Sequence, residues 1–362
     1  MTEELKFNYS FSLKNVAIFV TVALLYYLAS NLGLRIIYIE PFVTPIWVPA
    51  GITVASVVLL GYRIWPAICL GSFISHLDSR GWELGTFVIP VACTLEGLAS
   101  AYLVNKFAGG AKAFETAKGV FLFVLFACIC TPIIDPAIGL MIDLITGHPH
   151  FVNSEFRGLT WWFAYGTGTL LVAPFLILLF GDSHHRMDRR EFGELLLLLA
   201  GLIFVCFLVF GPLSMTMNKD GMVRVWVCIP FLMWASFRFC PLEAAGTTVI
   251  LFGSAVWGTL HGTSTFVAKN LTVSLVALDS FIGVIGTMTL VVAALVVERR
   301  KIEGEFLGTQ ALLRDVLSRK DHELVETVQA LEVEIARHEE TRKVLQESRE
   351  QVRLDLKDRK AE

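Results

Sequence analysis

Ten apolar runs occupy most of the first 298 residues, at 13–33, 45–61, 64–78, 85–105, 119–146, 159–181, 193–212, 225–239, 242–260 and 276–298. A helix crosses a ~30 Å hydrocarbon core with ~20 apolar residues, and several of these runs reach that length. Inside hydrocarbon the backbone must satisfy its own hydrogen bonds, so such segments are helices. The expected fold class is therefore all-α: a polytopic transmembrane bundle of 8–10 spans followed by a cytoplasmic helix. The second, third and eighth runs are short, and with short pairs folded as re-entrant hairpins the count becomes eight. The first run extends from Leu13 to Leu32 with no A-x-A-like exit after it. It is longer than the core of a cleaved signal peptide and reads as a permanent span.

Composition supports this reading. Hydrophobic residues make up 55% and charged residues 17%, which leaves too little polar surface to cover a soluble protein of this size. The lipid bilayer is the expected partner. A net charge of −3 gives no bulk attraction to nucleic acid, so none is expected as a ligand. The seven cysteines sit in or beside apolar runs and read as small packing residues. Cys128 and Cys130 lack further ligands nearby, so neither a metal nor a cofactor is expected. With the N terminus inside, loop Lys and Arg residues divide thirteen inside to six outside. That bias places both termini in the cytoplasm.

Two turns resemble each other at an offset of 175 residues. Gly61-Tyr62-Arg63-Ile64-Trp65-Pro66 precedes Gly71, and Ser236-Phe237-Arg238-Phe239-Cys240-Pro241 precedes Gly246. One reading is a parallel internal repeat of the kind found in transporters. The plainer one is a tight cytoplasmic turn, with Arg63 and Arg238 at the inner surface and Pro66 and Pro241 starting the next helices.

From Arg299 onward the chain is charged, lacks proline and is rich in helix formers. The expected organisation is a cytoplasmic N-terminal segment at 1–12, a transmembrane domain at 13–298 and a helical connector at 299–362. Leu317, Leu324, Leu331, His338, Leu345 and Val352 recur every seven residues. Val328 and Ile335 fill the companion position, so the cleanest seam is Leu324, Val328, Leu331 and Ile335. A stripe of this kind gains nothing in water alone and predicts a coiled-coil homodimer.

Charged groups at mid-membrane are costly and need a reason. Glu96 lies in the fourth run, Asp135 in the fifth and Asp279 near the start of the tenth. Pro132 and Pro136 flank Asp135, which predicts a broken helix whose freed carbonyls and carboxyl form a ligand or ion site. The alternative is a packing kink with Asp135 capping the following half-helix. For Glu96 the alternative is a hydrogen-bonded interhelical contact, and Glu243 is read as a cap or an ion pair with Arg238. Trp161 and Trp162 read as an interfacial belt or a ligand platform. His148 and His150 have the spacing of some metal sites but read as solvated loop residues, and His184 and His185 as facing lipid headgroups.

Four stretches in order carry a family resemblance: Trp47-Val48-Pro49-Ala50-Gly51-Ile52; Leu60-Gly61-Tyr62-Arg63-Ile64-Trp65-Pro66; Trp161-Trp162 with Gly166-Thr167-Gly168-Thr169-Leu170; and Phe237-Arg238-Phe239 with Ala255-Val256-Trp257-Gly258-Thr259. Together they resemble MASE1, the bacterial membrane sensory domain of histidine kinases and diguanylate cyclases. The resemblance spans about residues 15–298 and implies eight spans. It also implies a non-catalytic input module that signals down a cytoplasmic helix to a kinase or cyclase output. No output domain follows in this sequence, so the expectation is a piece of a longer protein or a module that recruits its partner. Asp321-His322-Glu323-Leu324 resembles a kinase phospho-accepting box but lacks its proline, and His322 reads as solvent-facing. A secondary transporter with a parallel internal repeat is the other functional reading.

Overall fold

A computed structural model describes residues 12–35, 44–146, 157–181, 187–212, 225–269 and 271–358. It is 91% helical, with no strand among the described residues. The helices are α1 (Leu13–Arg35), α2 (Val48–Leu60), α3 (Trp65–Arg80), α4 (Leu84–Leu103), α5 (Ala117–Phe123), α6 (Ile134–Thr146), α7 (Arg157–Phe180), α8 (Arg189–Phe210), α9 (Ile229–Arg238), α10 (Pro241–Leu260) and α11 (Leu271–Asp358). Each of the ten apolar runs has its own helix or helix pair, the fifth holding α5 and α6. Among the described residues, six segments are long and apolar enough to cross a membrane: Leu13–Leu34, Leu84–Ala108, Ala117–Thr146, Gly158–Phe180, Arg189–Phe210 and the start of Thr272–Gln351. Val48–Leu60 and Trp226–Arg238 are shorter apolar helices.

Compactness divides the chain into one unit ending at Arg299 and another beginning at Arg300. In the first, α2 is the central element and packs most extensively on α7. Small residues allow that approach. A Cβ on Gly51 would come within 2.6 Å of the Gly168 carbonyl, and one on Gly168 within 2.2 Å of the Trp47 carbonyl. The Trp47 amide donates across the same seam to the Ala164 carbonyl at 2.8 Å. On its other side α2 meets α4, where a Cβ on Gly97 would lie 2.0 Å from Thr53 Cγ2. Two of the sequence stretches that resemble MASE1, Trp47–Ile52 and Gly166–Leu170, are thus the two sides of one contact.

Both Arg-x-x-Pro turns precede helices, with Pro66 in the first turn of α3 and Pro241 opening α10. Gly61 takes φ +88°, a conformation that favours glycine, as the chain leaves α2. Arg63 sits in the 3₁₀ turn Tyr62–Ile64. Arg238 pairs through Nε with Glu194 at 2.6 Å and through Nη1 with Glu191 at 3.4 Å. Both of these carboxylates lie on α8. Shifting α1 by 175 residues gives 188–210, against the observed Arg189–Phe210. The tight packing does not repeat: a Cβ on Gly71 would reach 2.5 Å from the Ala23 carbonyl, whereas at Gly246 the nearest atom lies 3.6 Å away.

Between α5 and α6 the helix is broken. Val124–Cys130 is a π-helical turn and Thr131–Ile133 a 3₁₀ turn. Pro132 has no N–H to give the preceding turn, which loosens the ladder. Cys130 is exposed here, whereas Cys128 is buried as expected for a packing residue. In the second unit the α11 seam residues Leu324, Val328, Leu331 and Ile335 are all exposed in the single chain.

Candidate functional site

Among the described residues, the buried carboxyls of the first unit fall in two groups on opposite sides of α7. The first joins α4, α6 and α7. Asp135 is fully buried and Glu96 is 4% exposed. The Cys93 thiol donates to Asp135 Oδ1 at 3.4 Å, and its sulfur lies 3.4 Å from the Tyr165 hydroxyl. The Glu96 carboxyl lies beside the Asp135 backbone at the first turn of α6. Tyr165 and Trp161 face the Asp135 carboxyl, and Arg80 is a cation whose charge reaches it. Even so, Asp135 Oδ2 and Glu96 Oε2 each lack a hydrogen-bond partner. Trp47 stacks on Tyr165 at 5.8 Å between ring centroids, and Trp161 lies at 6.5 Å from the same ring.

The second group joins α7, the π-helical turn and the first part of α11. It borders a cavity of about 490 Å³ lined by Cys128, Trp162, Gly166, Thr167, Asp279 and Gly283, among others. Asp279 is 1% exposed. Its Oδ1 lies 3.3 Å from Thr167 Oγ1, and its Oδ2 has no partner. Thr167 has a single hydroxyl proton and a nearer acceptor, the Phe163 carbonyl at 2.8 Å. Asp279 is therefore poorly served by protein donors.

The break in the helix is closed by side chains. Trp162 Nε1 donates to the Ile129 carbonyl at 2.8 Å, and Thr131 Oγ1 to the Phe126 carbonyl at 2.8 Å. Ser100 Oγ meets the Thr131 hydroxyl at 2.5 Å and ties α4 to the same place.

The five side chains expected to face a ligand thus separate. Glu96, Asp135 and Trp161 come together, while Asp279 and Trp162 share the cavity. Trp161 covers Gly139, where an added Cβ would meet its ring at 2.5 Å. Sequence reasoning missed Cys93, Tyr165 and Thr167. Tyr165 follows Trp161 by one helical turn on the same face of α7, a spacing that could have shown it. The N-terminal residues 1–11 and His148, His150, His184 and His185 lie outside the described residues, as does the side chain of Asp143.

Comparison with protein-family models finds a match to MASE1 over residues 18–300. The chain belongs to the MASE1 family. No curated protein and no solved structure matches it. MASE1 is a membrane sensory domain family and is not catalytic. The MASE1 match ends one residue past the boundary of the first compact unit. Both polar groups lie inside the MASE1 region, and the seam residues of α11 lie beyond it.

Proposed function

We propose that this chain is the input module of a bacterial membrane signalling protein, dimeric through its C-terminal helix, with both termini in the cytoplasm. A small ligand or membrane condition acts on the buried carboxyls of Glu96, Asp135 and Asp279, with Trp161 and Trp162 beside them. The altered packing biases the seam of Leu324, Val328, Leu331 and Ile335, which hands the change to a kinase or cyclase output domain or partner. The observation that carries this reading is the set of three buried carboxyls that each keep an unpartnered oxygen. A purely structural carboxyl is expected to be fully hydrogen-bonded, because an unmet buried acceptor costs stability. A ligand that favours one packing over another shifts the population between them.

Disulfide crosslinking of Leu331→Cys in native membranes tests it, in a chain whose native cysteines are replaced and Cys93 by Ser to keep a donor. Efficient crosslinking, with a yield altered by Asp135→Asn at unchanged membrane insertion, is the expected result. No crosslink at Leu331 or Leu324 would remove the dimeric connector. A yield indifferent to Asp135→Asn would remove the assigned role of that carboxyl.

A further inference from the structure

We propose that the cavity between the π-helical turn, α7 and α11 is a binding site for a lipid-soluble molecule with one hydrogen-bond-donating head, an amine or a hydroxyl. This inference rests on the sensory reading above and names the ligand chemistry of its Asp279 side. The volume of about 490 Å³ falls inside the ~300–1,000 Å³ range of small-molecule sites. Its lining is almost wholly apolar, so the body of the ligand is hydrocarbon or ring. Asp279, a side chain that is almost fully buried, lines the cavity, and its Oδ2 is an unmet acceptor.

Where Oδ2 is the acceptor, in the ionised carboxyl or with the proton on Oδ1, the head is a donor, and a hydroxyl head also accepts from a proton on Oδ2. If Asp279 is ionised, both oxygens accept, and Thr167 offers at most one shared proton. If it carries a proton directed to Thr167, Oδ2 still accepts. An ammonium satisfies the first state with a charge-assisted bond, and a hydroxyl satisfies the second. The access route follows from exposure. Ile129, Val284 and Met288 line the cavity and are 43%, 59% and 57% exposed on the surface of an apolar bundle. A ligand therefore arrives from the lipid phase.

Gly283 supplies a clean test. It lines the cavity, and a Cβ there meets nothing within 4 Å, so Gly283→Leu fills the space without displacing backbone. The full chain in nanodiscs is titrated with 12-bromododecylamine, 12-bromododecan-1-ol and 1-bromododecane, with tryptophan quenching as the readout. Bromine quenches at short range, so Trp162 reports occupancy. The amine and alcohol should quench saturably and the alkane should not. The saturable part should vanish in Gly283→Leu and in Trp162→Phe. Asp279→Asn should weaken the amine by about tenfold and the alcohol less, since the amide keeps an acceptor but loses the charge.

Equal, unsaturable quenching by all three probes, or saturable quenching unchanged in Gly283→Leu, would show partition into lipid only and overturn the site. Loss of the site with crosslinking at Leu331 intact would refute the ligand class and spare the sensory reading. Intact quenching with no crosslink at Leu331 or Leu324 would do the reverse.

Discussion

The Trp162 indole donates to the Ile129 carbonyl at 2.8 Å across the gap between α7 and the broken helix. Pro132 supplies no amide to the preceding turn, and the Ile134 amide is already given to the Thr131 carbonyl. The indole gives the Ile129 carbonyl a donor beside this irregular turn, and backbone inside hydrocarbon requires such partners. A residue type associated with membrane interfaces serves here as a backbone substitute.

Trp162→Phe should therefore destabilise the bundle by about 1 kcal/mol, the usual net worth of one hydrogen bond. A lower melting temperature in detergent checks this. No change would mean that another donor reaches Ile129.

Gly97 is the second sensitive point. Gly97→Ala should cost about 1–3 kcal/mol, because its Cβ would lie 2.0 Å from Thr53 Cγ2. Thr53→Ser removes that methyl and keeps the hydroxyl that bonds the Pro49 carbonyl at 2.9 Å. The double variant should recover most of the loss. Equal instability in the single and double variants would show that the clash lies elsewhere.

Two glycines of one cavity should respond in opposite directions. Gly166→Ala places its Cβ 2.3 Å from the Cys128 carbonyl and should destabilise by about 1–3 kcal/mol. Gly283→Ala meets open space and should be neutral or stabilise by up to ~1 kcal/mol through helix propensity. Parallel thermal unfolding of both variants reads the difference.

Glu194→Gln should change stability little despite the 2.6 Å bond from Arg238. The Arg238 side chain is 37% exposed, and solvent and salt weaken what the geometry offers. The difference from wild type should shrink further in high salt, measured by unfolding at two ionic strengths.

The helices were legible in the sequence because length and hydropathy alone define them. Pro132 and Pro136 marked the break for the same local reason. The orientations of side chains were not legible. Helix α4 is apolar nearly all round, so no stripe distinguishes the face of Cys93 and Glu96 from its neighbours. Asp135 could be identified as costly, but its partners come from α4 and α7, at separations of 42 residues to Cys93 and 30 to Tyr165. Glu243 could be placed near Arg238 from sequence, but Glu194 and Glu191, which α8 brings beside the same guanidinium, could not. Gly51, Gly97 and Gly168 were visible signals of close approach, but they do not say which helix approaches.

The contacts around α2 carry a mechanical consequence. Backbone touches backbone at Gly51 and Gly168, and at Gly97 a single methyl of Thr53 fills the space. Surfaces without flexible side chains between them have no play, so α2, α4 and α7 must travel as one block. The Val124–Ile133 stretch joins that block, since a Cβ on Gly166 of α7 would lie 2.3 Å from the Cys128 carbonyl. It borders Asp135 on one side and the Asp279 cavity on the other, so the two carboxyl groups are mounted on one rigid body.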